Sequence, residues 1–214
     1  SWQQKMKITL SGYTKSATLT NFPMLVNLST NISGFAYSQF SSSSGGDLRF
    51  SASDGSTELN YEIEKWNTGG TSHVWVQAPV ISGTSSYVWA YWKNPGQTTA
   101  PAYTTNGATW KSDFRGVWHL GETGGAAFHY DSTSNRNDST TNGTSTMATN
   151  GPVGGASGRN GSAYGVITNR NNSLSITGTT VTVGIWVYPA VTLDMTKVGF
   201  LGRFQTSDAE NGDY

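Results

Sequence analysis

Between Asp47 and Asn94 the chain runs through short alternating segments, each closed by turn chemistry, and this pattern points to an antiparallel β-fold. Leu48 to Ser51 ends at Asp54-Gly55, a dipeptide that tolerates positive φ and suits a tight hairpin turn. Glu58 to Trp66 ends at Asn67 to Gly70, His73 to Gln77 stops at Pro79, and Ser86 to Lys93 closes at Asn94-Pro95-Gly96. Successive strand residues point to opposite faces. Leu59, Tyr61, Ile63 and Lys65 therefore share one face of the second run, predicted to be the inner one, while Asn60, Glu62, Glu64 and Trp66 share the other. Val74 and Val76 oppose His73, Trp75 and Gln77; Val88, Ala90 and Trp92 oppose Tyr87, Trp89 and Tyr91. Aromatic residues fall on both faces of the expected sheet.

Inner aromatics build a core, whereas an outer row is surface that a ligand can use. Sugar rings present flat C–H faces that stack on indole and phenol rings. Cross-strand aromatic pairs also stabilise sheets that bind nothing, or lie beneath a second layer. Trp66, Trp75, Trp89 and Tyr91 are the candidate stacking residues.

The opening Trp2, Lys5 and Ile8, then Asn21 to Leu28 (NFPMLVNL), DLRF followed by Asp54-Gly55, YEIEKW, VWVQAP and YWKNPG occur in one order. This order resembles the bacterial domain-of-unknown-function 2341 family over about residues 1–100. The last motif departs from the family's tyrosine-tyrosine-glycine-asparagine and reads Tyr91-Trp92-Lys93-Asn94. The resemblance implies a β-rich extracytoplasmic module and no particular chemistry.

Upstream, Gln3 to Leu10 reads as an edge strand, with Met6, Ile8 and Leu10 inward and Lys5 and Lys7 outward. Phe22 to Leu28 reads as a second strand, and the serine-rich Ser33 to Gly46 as a loop with one short helical turn around Phe35 to Phe40. Periodicity fades after Gly96, so residues 101–109 are expected to link a first module, 1–100, to a second, 110–214.

In that second stretch Gly116 to Glu122 (GVWHLGE), Asp131 to Asp138 (DSTSNRND), Asn150 to Ser162, Ser173 to Thr177 and Thr182 to Pro189 (TVGIWVYP) follow one another. Their order resembles the N-terminal part of a laminin-G-like or concanavalin-A-like jelly roll. The family's phenylalanine-aspartate-glycine is Arg159-Asn160-Gly161 here, and such domains normally continue for several further strands beyond the one expected at Val198 to Phe204, whereas this sequence stops at Tyr214. The fold class expected is all-β, two β-sandwich modules, the second incomplete within this chain. A neighbouring subunit or a cleaved C-terminal fragment would complete it by strand addition.

Several partners are disfavoured by composition. The 13 basic and 13 acidic residues cancel, only 12% of the chain is charged, and no basic patch interleaves with the aromatics, which argues against nucleic acid. No apolar run is long enough to span a bilayer, and the absence of cysteine removes thiolate chemistry. Low charge, 26 glycines and an opening Ser1-Trp2 without methionine fit a secreted or cell-surface bacterial product.

Asp131, Asn135, Asn137 and Asp138 form an oxygen-rich loop compatible with Ca²⁺, a hard cation that takes carboxylate and carbonyl oxygens. Glu62 and Glu64, two apart on one strand face, place two carboxylates together as in retaining glycosidases; a solvated face is the simpler expectation. His73, His119 and His129 occur singly, outside any zinc or triad motif. The function expected is non-catalytic binding of polysaccharide or glycoprotein, with Trp118 and the 131–138 loop as a second candidate site. The alternatives are a structural subunit of a surface fibre or layer, and a glycoside hydrolase fragment.

Overall fold

Each alternating run forms a strand in the computed structural model, which describes residues 1–110, 113–122, 128–142, 145–148, 151–159 and 164–188. The first six strands are β1 (Gln4–Thr9), β2 (Leu19–Leu28), β3 (Arg49–Ser51), β4 (Tyr61–Lys65), β5 (Ser72–Ile81) and β6 (Tyr87–Trp92). They pair antiparallel in two three-stranded sheets, ordered β1-β6-β3 and β2-β5-β4. Val26, Leu28, Tyr61, Val74 and Val76 from one sheet and Phe50, Val88, Ala90 and Trp92 from the other join a single core, the signature of face-to-face sheet packing. Each buried Val, Leu or Phe among them contributes about 1.5–3 kcal/mol of burial free energy.

The Asp54-Gly55 turn carries the chain between the two sheets. Ala52 N donates to Thr57 O at 2.8 Å, and Gly55 takes φ +77°, the left-handed region. Lys5 and Lys7 point outward from β1, which among the described strands pairs with β6 alone and forms the edge of its sheet. The loop between β2 and β3 carries a 3₁₀ turn, Tyr37–Gln39, inside the expected helical stretch. Phe35 packs edge-on against Tyr37, Phe40 and Trp92.

Asp47 ties this loop to the end of β6. Its carboxylate is fully buried and accepts from Ser41 N, Ser42 N, Lys93 N and Asn94 N, satisfying four backbone donors at once.

β4 departs from simple alternation. Ile63 pairs with Val74 and Lys65 with His73, so Glu64 is an extra residue, a β-bulge. The bulge reverses the phase of the residues downstream of it. Trp66, expected on the outer face, turns inward onto Tyr37 and Phe40, with ring centroids 5.3 and 5.0 Å apart.

Residues 101–110 contain a second 3₁₀ turn, Ala102–Thr104, and bury Thr104, Thr109 and Trp110. Gln77 Nε2 donates to Thr109 O at 3.1 Å and Asn60 Nδ2 to Ala108 O at 3.3 Å, which lays this segment across the outer face of β4 and β5. Beyond it come β7 (Phe128–His129), β8 (Ser139–Asn142), β9 (Ser145–Ala148), β10 (Ala156–Arg159) and β11 (Tyr164–Ile167). These form a three-stranded antiparallel sheet, β11-β8-β7, and a hairpin, β9-β10. Among the described residues the chain is therefore all-β and sandwich-like. No described helix is long and apolar enough to cross a membrane.

The chain divides into two compact units, Ser1–Thr177 and Gly178–Tyr214. The described part of the second unit, 178–188, has no strand and exposes alternating Val181, Val183 and Ile185. The strand expected at Val198 to Phe204 lies outside the described residues.

Candidate functional site

The two sandwich sheets differ in what covers them. On β2-β5-β4 the outer face of β4 and β5 is covered by Ala108 to Trp110, His119, Ser132 and Gly154, while Asn27 of β2 stays exposed. Glu62 and Glu64 lie beneath this cover, which corrects the expectation of a solvated strand face.

His119 sits between the two carboxylates, with Nε2 3.4 Å from Glu62 Oε1 and Nδ1 3.2 Å from Glu64 Oε2. Trp75 Nε1 donates to Glu64 Oε2 at 2.6 Å, Trp110 Nε1 donates to Glu62 Oε2, and Ser132 Oγ donates to Glu62 Oε1 at 2.7 Å. The imidazole stacks on Trp75 and tilts against Trp110. Burial alone would raise the Glu62 pKa, yet the His119 imidazolium, the Ser132 hydroxyl and the Trp110 indole N–H hold it below the usual carboxylate value. Burial alone would lower His119, but the two carboxylates lift it from 6.5 to about 9. The arrangement is a charge-compensated buried network joining β4 and β5 to the segment that covers them. Trp75 is a member of this network.

The opposite sheet, β1-β6-β3, keeps an open outer face. Tyr87, Trp89 and Tyr91 alternate along β6 on this side, half-buried, with Tyr87 and Trp89 edge to face at 5.9 Å. The phenols are anchored: Tyr87 Oη donates to Ser53 O at 3.3 Å and Tyr91 Oη to Gly55 O at 3.2 Å. Lys5 Nζ lies 3.7 Å from the Trp89 ring centre and Lys7 Nζ 3.9 Å from that of Tyr87.

At the Tyr91 end the face opens into a groove of about 330 Å³ whose lining includes Trp2, Arg49, Ser51, Glu58, Tyr91 and Gln97. Trp2 and Tyr91 form two tilted aromatic walls, 6.4 Å between centroids. Arg49 is held by donation to Gly46 O, Leu48 O and Thr99 O, and pairs through Nε with Glu58 at 3.6 Å. Glu58 Oε1 also accepts from Tyr103 Oη at 2.5 Å; burial, then this carboxylate, pushes the Tyr103 pKa upward. Aromatic walls with a few fixed polar groups suit a small polar ring with apolar faces.

The candidate residues therefore disperse. Trp89 and Tyr91 share the open face. Trp66 is turned inward, its Nε1 donating to Ser43 O at 2.9 Å, and Trp118 donates from Nε1 to Asn137 O at 2.9 Å.

In the 131–138 loop, Asp131 Oδ1 accepts from Val117 N and Thr133 N, and Oδ2 from Thr133 Oγ1 and Asn137 N. Asp138 Oδ1 accepts from Asp131 N. Asn137 is fully buried, its Oδ1 accepting from Arg170 N and Ser173 Oγ, while Asn135 Nδ2 donates to Arg115 O. The Asp131 oxygens that a cation would need are taken by protein donors, so the loop in this conformation does not fit Ca²⁺. Among the described residues, no group of three or more His, Cys, Asp or Glu is placed to hold a metal.

Sequence reasoning missed Arg49, Ser51, Glu58 and Gln97 as groove residues, and His119 as the partner of Glu62 and Glu64. Trp2 and the turns at Asp54-Gly55 and Asn94-Pro95-Gly96 were the signals for the groove, since these turns bring its walls together.

Fold and surface together define an all-β, sandwich-like module with one sheet face covered over β4 and β5 and the other open. Residues 44–142 match the model of a family described as Domain of unknown function (DUF2341), a span that takes in Asp47, Glu62, Glu64, His119 and Asp131. Nothing among curated proteins or solved structures matches the chain significantly.

Proposed function

We propose that this chain is an extracellular, non-catalytic binding module that holds polysaccharide or glycoprotein glycans on the outer face of β1-β6-β3. The observation that carries this reading is the row Tyr87, Trp89 and Tyr91, its two phenols anchored and its indole packed on Tyr87, leading into a groove walled by Trp2 and Tyr91. Rings fixed before binding lose little conformational freedom on contact, which favours stacking against a sugar. The test is titration of tryptophan fluorescence with a glycan panel, followed by Trp89→Ala and Tyr91→Ala. Each variant is expected to weaken binding by about tenfold, or roughly 1.4 kcal/mol. A wild-type chain that responds to no glycan, or variants that bind like wild type, would sink this reading.

A second reading, a structural subunit completed by a neighbour, is favoured by the β11-β8-β7 sheet. Phe128 pairs with Thr140, which pairs with Val166, so these side chains share one face. Phe128, Tyr164 and Val166 are 48%, 58% and 44% exposed there. Such a face suits a partner that adds apolar cover, and it also accommodates the jelly-roll resemblance of residues 110–214. Sedimentation analysis with Val166→Lys is the check: an oligomer that this substitution disperses supports assembly, and a monomer at all concentrations removes it.

A further inference from the structure

Lys5 and Lys7 carry charge that nothing described on the open face neutralises. Among the described residues neither has a carboxylate partner; the ion pairs involve Arg49, His119 and His129. Two acids on this side of the fold are occupied elsewhere. Glu58 is shared by Arg49 and Tyr103, and Asp54 accepts from Ser56 N, Thr57 N and Thr57 Oγ1.

The placement of the ammoniums is regular. Lys5 stands opposite Tyr91 and Lys7 opposite Trp89 in the antiparallel register, and each leans diagonally over the next ring, Trp89 and Tyr87 respectively. Two like charges sit on one strand face, about 6.7 Å apart along the backbone. Each presents three N–H donors, and the rings beneath fix their heads without supplying an acceptor.

We infer that the open face of β1-β6 selects an acidic polysaccharide, one bearing carboxylate or sulfate groups, with Lys5 and Lys7 binding the anions and Trp89 and Tyr91 the sugar faces. This rests on the glycan reading above and goes beyond it. A neutral sugar stacking on Trp89 must push the Lys5 ammonium off the ring and gains no ion pair in return. An acidic sugar gives that ammonium a partner as it is displaced. Single-stranded nucleic acid also combines stacking with charge, but its salt-dependent affinity needs many phosphate contacts, and this pair of lysines supplies few.

The experiment compares polygalacturonate, its uncharged methyl ester, dextran sulfate, neutral dextran and oligo-dT, by calorimetric titration at low and high salt. Wild type and a K5Q/K7Q double variant are tested, with matched melting curves confirming that the variant is folded. The acidic polymers are expected to bind at least about tenfold more tightly than their neutral counterparts, with that preference lost in high salt and in K5Q/K7Q. Preference for polygalacturonate over dextran sulfate identifies carboxylate as the anion, and the reverse identifies sulfate. Equal binding of acidic and neutral polymers would overturn the inference while leaving glycan binding intact. No binding to any polysaccharide would overturn both, and tighter binding of oligo-dT than of either acidic polymer would replace the proposed ligand with nucleic acid.

Discussion

His119 Nδ1 stands 3.2 Å from Glu64 Oε2, so a lone histidine distant in sequence neutralises a carboxylate that the cover over β4 and β5 removes from water. The proton on His119 is held more tightly in the folded chain than in the unfolded one, because its pKa rises from 6.5 to about 9. The resulting stabilisation is fully present below pH 6.5 and disappears as pH rises through 9. Glu62 acts in the opposite sense, its stabilisation present above its unfolded value of 4.5 and lost as pH falls through its lowered folded value. Urea titrations across pH should show the unfolding free energy falling by something on the order of 3 kcal/mol between these two His119 values. In His119→Gln that decline should be absent. A flat wild-type profile would contradict the ion-pair assignment.

Asp47 is predicted to be among the least replaceable residues. Asp47→Ala removes a fully buried carboxylate and strands four backbone donors, that of Asn94 buried and the other three part-buried, and a loss of about 3 kcal/mol is expected in chemical denaturation. Asp47→Asn keeps an acceptor and should lose less. Equal losses for the two variants would show that acceptor geometry is not what matters here.

Gly107 has φ +90°, and a Cβ placed on it would lie 2.3 Å from Ser134 N. Gly107→Ala therefore strains the backbone and forces two segments apart, for an expected cost of about 2 kcal/mol or more. Gly12→Ala, which meets nothing within 4 Å and has no positive φ, is the matched control. A thermal melt in which the two variants agree would remove the close approach as the cause.

The Asp131 carboxylate is predicted to act as a scaffold for its own loop, since both its oxygens accept from that loop's backbone. Asp131→Ala should lower the melting temperature markedly, while a chelator added to the wild-type chain should leave it unchanged. A chelator-induced drop in melting temperature restored by Ca²⁺ would mean that the loop rearranges around an ion.

Much of the sandwich was readable in the sequence because its strands alternate strictly. Leu59, Tyr61, Val74, Val76, Val88, Ala90 and Trp92 reach the core as their parity predicts, and the outward Lys5 and Lys7 of β1 follow the same rule. Parity failed at Trp66, because a bulge adds one residue without any local turn signal in YEIEKW. Trp75 had the right face, but what covers a face is decided by distant segments; Trp110 and His119 approach it only through tertiary folding. The groove was hidden for the same reason, since Trp2, Arg49, Glu58 and Gln97 belong to four separate stretches of chain. The oxygen-rich loop looked like a cation site because sequence shows acceptors and not the backbone N–H groups that claim them.

The extra residue at Glu64 also divides β4 between two masters. Upstream of it, Glu62 answers to the covering segment; downstream, Trp66 answers to the aromatic loop around Phe40. A one-residue deletion there would restore unbroken pairing with β5, yet it would swing the indole out of its socket and leave Phe40 and Tyr37 without their neighbour. Length in this five-residue strand is thus constrained as well as residue identity: Glu64 holds His119 and Trp75 through its carboxylate and sets the phase of Trp66 through its place in the backbone.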